Sequence, residues 1–241
     1  MTETPAASVP DKGVIARAIG MITSPGATYQ SVVANPRPAG ILFLVCLVIS
    51  LATALPQFTE RGRQAALDMQ VQQTERFIQV SPEMYSQMEA RSHYNGYITF
   101  VATFVALPIF TLIFGAIYWV VFNAIMGGTA TFKQVLAVVT HSQVPSALGA
   151  IVAAPIQLAT SKISTAGPFN LGVLFPMLEP NSPMSNFLGS IGLFQVWGIV
   201  VCAIGFGVLY RRKAGTIAVV LLAIFLAFMA LFAYLTSFFG R

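Results

Sequence analysis

Residues 187–239 read "FLGSIGLFQVWGIVVCAIGFGVLYRRKAGTIAVVLLAIFLAFMALFAYLTSFF". Two long uncharged runs, 187–210 and 216–239, are separated by a five-residue turn holding Arg211, Arg212 and Lys213. A helix needs about 20 apolar residues to cross a hydrocarbon core roughly 30 Å thick. Within one such segment, only a helix satisfies all of its own backbone polar groups. The stretch therefore reads as two transmembrane helices joined by a short basic turn.

Three more uncharged runs precede it, at 39–58, 97–126 and 135–159. All 21 Lys, Arg, Asp and Glu residues fall outside the five runs. Of the 241 residues, 56% are apolar and only 9% charged, against roughly a quarter charged in soluble domains. No soluble fold of this length has a core large enough for that much apolar surface. The expected fold is all-α: a polytopic membrane protein with a five-helix transmembrane bundle, an amphipathic N-terminal helix and a small helical outer loop. The first span is the shortest, because Pro56 interrupts its end. The second is long enough to tilt, to kink at Pro108 or to extend into water.

The flanking segments follow from the same reading. Residues 1–11 are acidic and Pro-rich, and are expected to form a disordered tail with no secretory signal pattern. The first span then serves as the insertion signal. Residues 12–38 form an interfacial segment. Val14, Ile15, Ala18, Ile19 and Ile22 recur at helical spacing, with Lys12 and Arg17 supplying charge. Ser24 is expected to cap a second short helix that has Pro25 at its first position and ends before Pro36. The membrane domain is 39–239. Its outer loop, 59–96, places Ala66, Met69, Phe77 and Val80 near one helical face, and Ser81-Pro82-Glu83 restarts a helix. The segment "PFNLGVLFPMLEP" (168–180) is apolar but too short to span, and reads as interfacial or re-entrant.

Orientation follows Lys and Arg near the span ends. With the N-terminus inside, the inner segments hold Lys12, Arg17, Arg37, Lys133, Arg211, Arg212 and Lys213; the outer ones hold Arg61, Arg63, Arg76, Arg91, Lys162 and Arg241. The Arg-Arg-Lys triplet sits in the shortest loop, where charge counts most. It indicates N-terminus in, C-terminus out. The net charge of +5 has no basic stripe with interleaved aromatics, so nucleic acid is not an expected partner.

The third run carries the oddest chemistry: "THSQVPSA", Thr140 to Ala147, inside an otherwise apolar segment. His141, Ser142 and Pro145, together with Asn123 from the second span, form a candidate polar kink or ligand-lining group. An ionisable residue inside a membrane is by default a functional candidate. Equally, Pro145 frees the carbonyl of His141 from its helical bond, and the neighbouring hydroxyls can answer such groups. Both readings stand on the residues alone. Packing positions are clearer. Ser146, Ala150 and Ala154 repeat every four residues, with Gly149 and Ala153 one face over. Gln195, Gly198, Cys202 and Gly205 share a face of the fourth span. Small residues let backbones approach closely in lipid. Asn123, Gln143, Gln157 and Gln195 are candidate interhelical hydrogen bonders, each worth about 0.5–2 kcal/mol. Cys46 and Cys202 both lie in apolar runs and read as packing residues. No catalytic or metal-ligand motif occurs, so a non-enzyme without metal or cofactor is expected.

Four features resemble the Yip-domain (Ypt-interacting-protein) family of five-span membrane proteins, in its bacterial branch. They are "SPGATYQSVVANP" (24–36), similar to the family's Ser-Pro-x-x-Thr-aromatic stretch; "GGTATFKQVLAVVTHSQVP" (127–145), with its Gly-x-x-x-Phe entry and Ser-x-x-Pro end; the Trp- and Gly-bearing fourth span with its basic turn; and the span count. Relatives often place an aromatic, commonly Tyr, where this chain has His141. The resemblance implies an integral protein of a bacterial cytoplasmic (inner) membrane. Some bacterial relatives accompany ABC-type export systems, which suggests an accessory subunit with a membrane-protein partner or a homo-oligomer. Two functions follow: a non-enzymatic scaffold or accessory subunit acting through helix packing and partner binding, or a small permease or lipid-handling protein that uses the polar kink at His141.

Overall fold

A computed structural model describes residues 13–75, 77–125, 127–160, 167–179 and 182–239. The expected tail at 1–11, and Lys12, Arg76, Lys162 and Arg241, lie outside the described residues. Five apolar helical spans are present: Pro38–Phe58, Asn95–Ala124, Phe132–Thr160, Leu193–Tyr210 and Ala214–Leu231. Their bounds track the uncharged runs, except that the fourth starts at Leu193 rather than 187. A separate short helix ends there at Gly189, and Gly192 precedes the first residue of the fourth span. Among the described residues there is no β-strand, only an isolated antiparallel bridge between Asn170 and Gly192.

The leader forms α1 (Val14–Thr23) and α2 (Pro25–Ala34). On α1 the apolar stripe is outward: Ile15 is 69% and Ile19 56% exposed. The opposite face packs inward, with Met21 and, contrary to the expected polar face, Arg17 buried. Arg17 Nη1 donates to the carbonyl of Asn35 at 3.4 Å. The exposed stripe is what an interfacial helix would present to lipid. Ser24 departs from its expected role, because its side chain makes no capping bond. Its carbonyl instead accepts from the amide of Thr28 at 3.0 Å. Nor is α2 a surface helix. Thr28, Tyr29, Ser31 and Val32 are buried, and it packs on the fourth span and the start of the third.

The first span is α3 (Pro38–Ala54), closed by a tight turn at Leu55–Phe58 that holds Pro56. The outer loop follows as α4 (Glu60–Glu75) and α5 (Pro82–Ser92). Thr59 Oγ1 accepts from the Gly62 amide at 3.1 Å, which starts α4; Ser81 Oγ accepts from the Met84 amide at 3.2 Å, which starts α5. The buried face of α4 is Gly62, Ala65, Ala66 and Leu67. Phe77 is not part of it, since α4 stops at Glu75 and Phe77 is 58% exposed.

The second span, α6 (Asn95–Val120), runs through Pro108 without a break and ends in one wide turn at Val121–Ile125. The third span is two helices, α7 (Phe132–His141) and α8 (Val144–Thr160). A capping box starts α7, with Thr131 Oγ1 accepting from the Gln134 amide and Gln134 Oε1 accepting from the Thr131 amide. The fourth and fifth spans are α10 (Leu193–Tyr210) and α11 (Ala214–Phe239), preceded by the short α9 (Pro183–Gly189), which packs on α11. The third span is central. It lies between α3 and α6 on one side and α10 on the other, and α11 packs on α10. Burial follows: 61% of the third span's apolar window is buried, against 11% for the second and fifth.

The Arg-Arg-Lys turn is sharp because Arg211 adopts a left-handed backbone, φ 52°, at the C-terminus of α10. A non-glycine residue there costs about 1–2 kcal/mol, and glycine is the usual occupant. Arg211→Gly is therefore expected to leave the melting temperature in detergent unchanged or raised. A fall of several degrees would show that the turn depends on the arginine side chain.

Candidate functional site

The third span breaks at Ser142–Gln143, between His141 and Pro145. Proline has no amide hydrogen to donate and its ring crowds the carbonyl four residues earlier, so one unbroken helix is disfavoured. In hydrocarbon, the groups freed by a break must find partners inside the protein. At this break several side chains bond backbone carbonyls of their own helix. Thr140 Oγ1 donates to the carbonyls of Leu136 (2.9 Å) and Ala137 (3.1 Å). Ser142 Oγ donates to Val139 at 2.8 Å. His141 Nδ1 lies 2.7 Å from the Ala137 carbonyl, which makes Nδ1 the protonated nitrogen. Gln143 Nε2 donates across to Thr111 Oγ1 of α6 at 2.7 Å. His141 and Thr140 have no solvent exposure and Ser142 has 8%. His141 Nε2, Thr28 Oγ1 and Gln143 Oε1 are buried without a hydrogen-bond partner.

The small face of α10 meets this break directly. A Cβ added at Gly198 would lie 2.9 Å from the Ser142 carbonyl oxygen. Cys202 reaches Ser142 through its side chain. At Gly205 an added Cβ would lie 2.6 Å from the ring of Tyr29 and 2.7 Å from Val138. Gly198 and Gly205 are thus both points of close approach to neighbouring helices, with Cys202 buried between them. Gln195 does not extend this series; its Oε1 accepts from the Gly192 amide at 3.4 Å, at the start of its own helix.

On α8 the close contact falls one face over from Ser146, Ala150 and Ala154. Gly149 and Ala153 are buried, with an added Cβ at Gly149 only 2.6 Å from Phe194. Ser146, Ala150 and Ala154 are half-buried. Ser146 and Ala150 help line a cavity of about 250 Å³ with Thr53, Gln157 and Gln195. Asn123 belongs elsewhere. Its Nδ2 donates to the Ala130 carbonyl at 2.6 Å and its Oδ1 accepts from Tyr210 OH at 2.9 Å, which ties the end of α6 to the end of α10.

Spacing did not single out Tyr29. It is fully buried, and its hydroxyl donates to the Val138 carbonyl at 3.2 Å. The signal for it lay in the Thr-aromatic pair of the leader motif. Among the described residues no cluster of three or more His, Cys, Asp or Glu could hold a metal ion.

These features define a five-span helical membrane protein whose leader helix is docked on a broken central span. The Yip1 domain family model matches residues 19–235, and the chain belongs to that family. It is similar to a protein of Bacillus subtilis (strain 168) described as "Membrane protein YknW", 24% identical over 223 residues and covering 90% of each chain. No solved structure matches.

The packing makes a graded prediction. Gly198→Leu and Gly205→Leu overfill closed contacts and are expected to cost at least about 1–3 kcal/mol, read as lost folded protein or a lower melting temperature in detergent. Ala150→Leu faces the cavity and is expected to cost less. Equal damage at all three positions would refute the assignment of the contact face.

Proposed function

We propose that this chain is a non-enzymatic scaffold or accessory subunit, acting through helix packing and partner binding beside a membrane transport system. One observation carries the reading: the polar stretch of the third span is turned into the bundle, and three of its side chains bond their own helix. Thr140, His141 and Ser142 all bond carbonyls one turn back. A permease needs a path past His141, and neither the 250 Å³ cavity nor a second one at the opposite end of α10 includes His141, Ser142 or Asn123 in its lining. In this reading His141, Ser142 and Pro145 form a structural kink, with Gly198, Cys202 and Gly205 seating it. The little-buried α6 and α11 meet lipid and the partner. In the same reading the basic turn at 211–213 lies on the cytoplasmic side of a bacterial membrane, with the N-terminus inside and the C-terminus outside; the charge in this short loop is what supports it.

Capture of the tagged protein from native membranes in a mild detergent tests this. The expected result is a co-purifying membrane protein or a homo-oligomer. His141→Phe, which keeps a ring but removes the bond to Ala137, is expected to cost about 1 kcal/mol and to retain that association. A monomer without partners, or substrate flux in vesicles that His141→Phe abolishes at normal protein levels, would contradict it.

A further inference from the structure

The end of α10 opposite the outer loop holds a cavity of about 580 Å³. It lies where α10 ends, α11 begins and the 127–131 loop enters α7. Its apolar floor includes Val33, Phe122 and Ile217, and its rim includes Arg211, Arg212 and the loop from Gly127 to Ala130. The walls are already fixed without a ligand. Phe122 stacks on Tyr210 at 5.3 Å. Tyr210 is held by Asn123, and Asn123 and Trp119 Nε1 both donate to the Ala130 carbonyl. The Gly128 amide donates to the Phe122 carbonyl at 3.0 Å. The size lies within the roughly 300–1,000 Å³ of small-molecule sites.

Charge and depth specify the ligand. Two arginines line the cavity and no Asp or Glu does. The six acidic residues among the described ones, Glu60, Asp68, Glu75, Glu83, Glu89 and Glu179, all lie in the loops at the opposite end of the bundle. Guanidinium forks match phosphate oxygens in geometry and charge. Trp119 and Tyr210 are the aromatic types that mark the membrane–water boundary, so the cavity lies at headgroup level. Basic clefts between transmembrane helices are known lodgings for anionic lipid headgroups. We infer that this cavity binds a phosphate group, carried by an anionic phospholipid of the adjoining leaflet, with Arg211 and Arg212 on the phosphate and the apolar floor beneath the glycerol. This site is independent of the scaffold reading, since it requires no protein partner.

Native mass spectrometry and thermal shift of the full chain in detergent test it. Phosphatidylglycerol, phosphatidylcholine or millimolar inorganic phosphate is added in separate arms. Phosphatidylglycerol is expected to be retained and to raise the melting temperature more than phosphatidylcholine. Arg211→Gln/Arg212→Gln is expected to weaken that retention by on the order of tenfold. Lys213→Gln and Lys133→Gln, which remove charges outside the lining, are expected to change it little. Arg211→Gly keeps the left-handed turn, so weaker lipid retention with unchanged lipid-free stability would separate binding from folding. Equal retention by the double variant, or an equal loss in Lys213→Gln, would overturn the site. Inorganic phosphate matching phosphatidylglycerol would overturn the lipid as its source.

Discussion

A polar group carried into hydrocarbon has no water to fall back on, and the third span carries a concentrated set of them at its break. Pro145 prevents one continuous helix, and Thr140, His141 and Ser142 return their side chains to the preceding carbonyls. The Ser142 carbonyl faces α10, and the carbonyl of Val138 faces Tyr29. α10 covers the first because position 198 has no side chain, and Tyr29 bonds the second. The same Val138 carbonyl also accepts from the Ser142 amide at 3.0 Å. α10 and the leader thus both pack against backbone beside the break.

The two ends of the bundle differ as a consequence. With the third span buried at the centre, α6 and α11 are left at the periphery, facing lipid over most of their length. One end carries the acidic and basic helices of the outer loop. The other carries the arginine turn, and Asn123 links α6 to α10 across it. Polarity is spent on holding irregular backbone, which is the usual use of hydroxyl and amide side chains between membrane helices.

Hydropathy made the five spans legible, because each must be long and apolar for a reason independent of packing. Gly198 and Gly205 could be picked out as well, since small residues at helical spacing let neighbouring backbones approach closely, and both sit at such approaches. Three features were hidden. Arg17 is buried because periodicity says which residues share a face of α1, not which face turns inward when lipid surrounds the other. Asn123 was grouped with His141 because sequence cannot show that α6 ends beside Tyr210. The choice between Gly149 with Ala153 and Ser146 with Ala150 depends on where Phe194 lies, which only the fold decides. Tyr29 was visible only as part of the family-like leader motif, without a role.

The broken third span packs closely enough to keep water from Ser142, which is 8% exposed. Labelling of a Ser142→Cys variant, with Cys46 and Cys202 replaced by alanine, tests it most directly. A charged, membrane-impermeant thiol reagent is applied to each face of sealed vesicles. No labelling is expected from either face until the protein is denatured. Rapid labelling from one or both faces in the folded protein would place Ser142 on an aqueous path and contradict it.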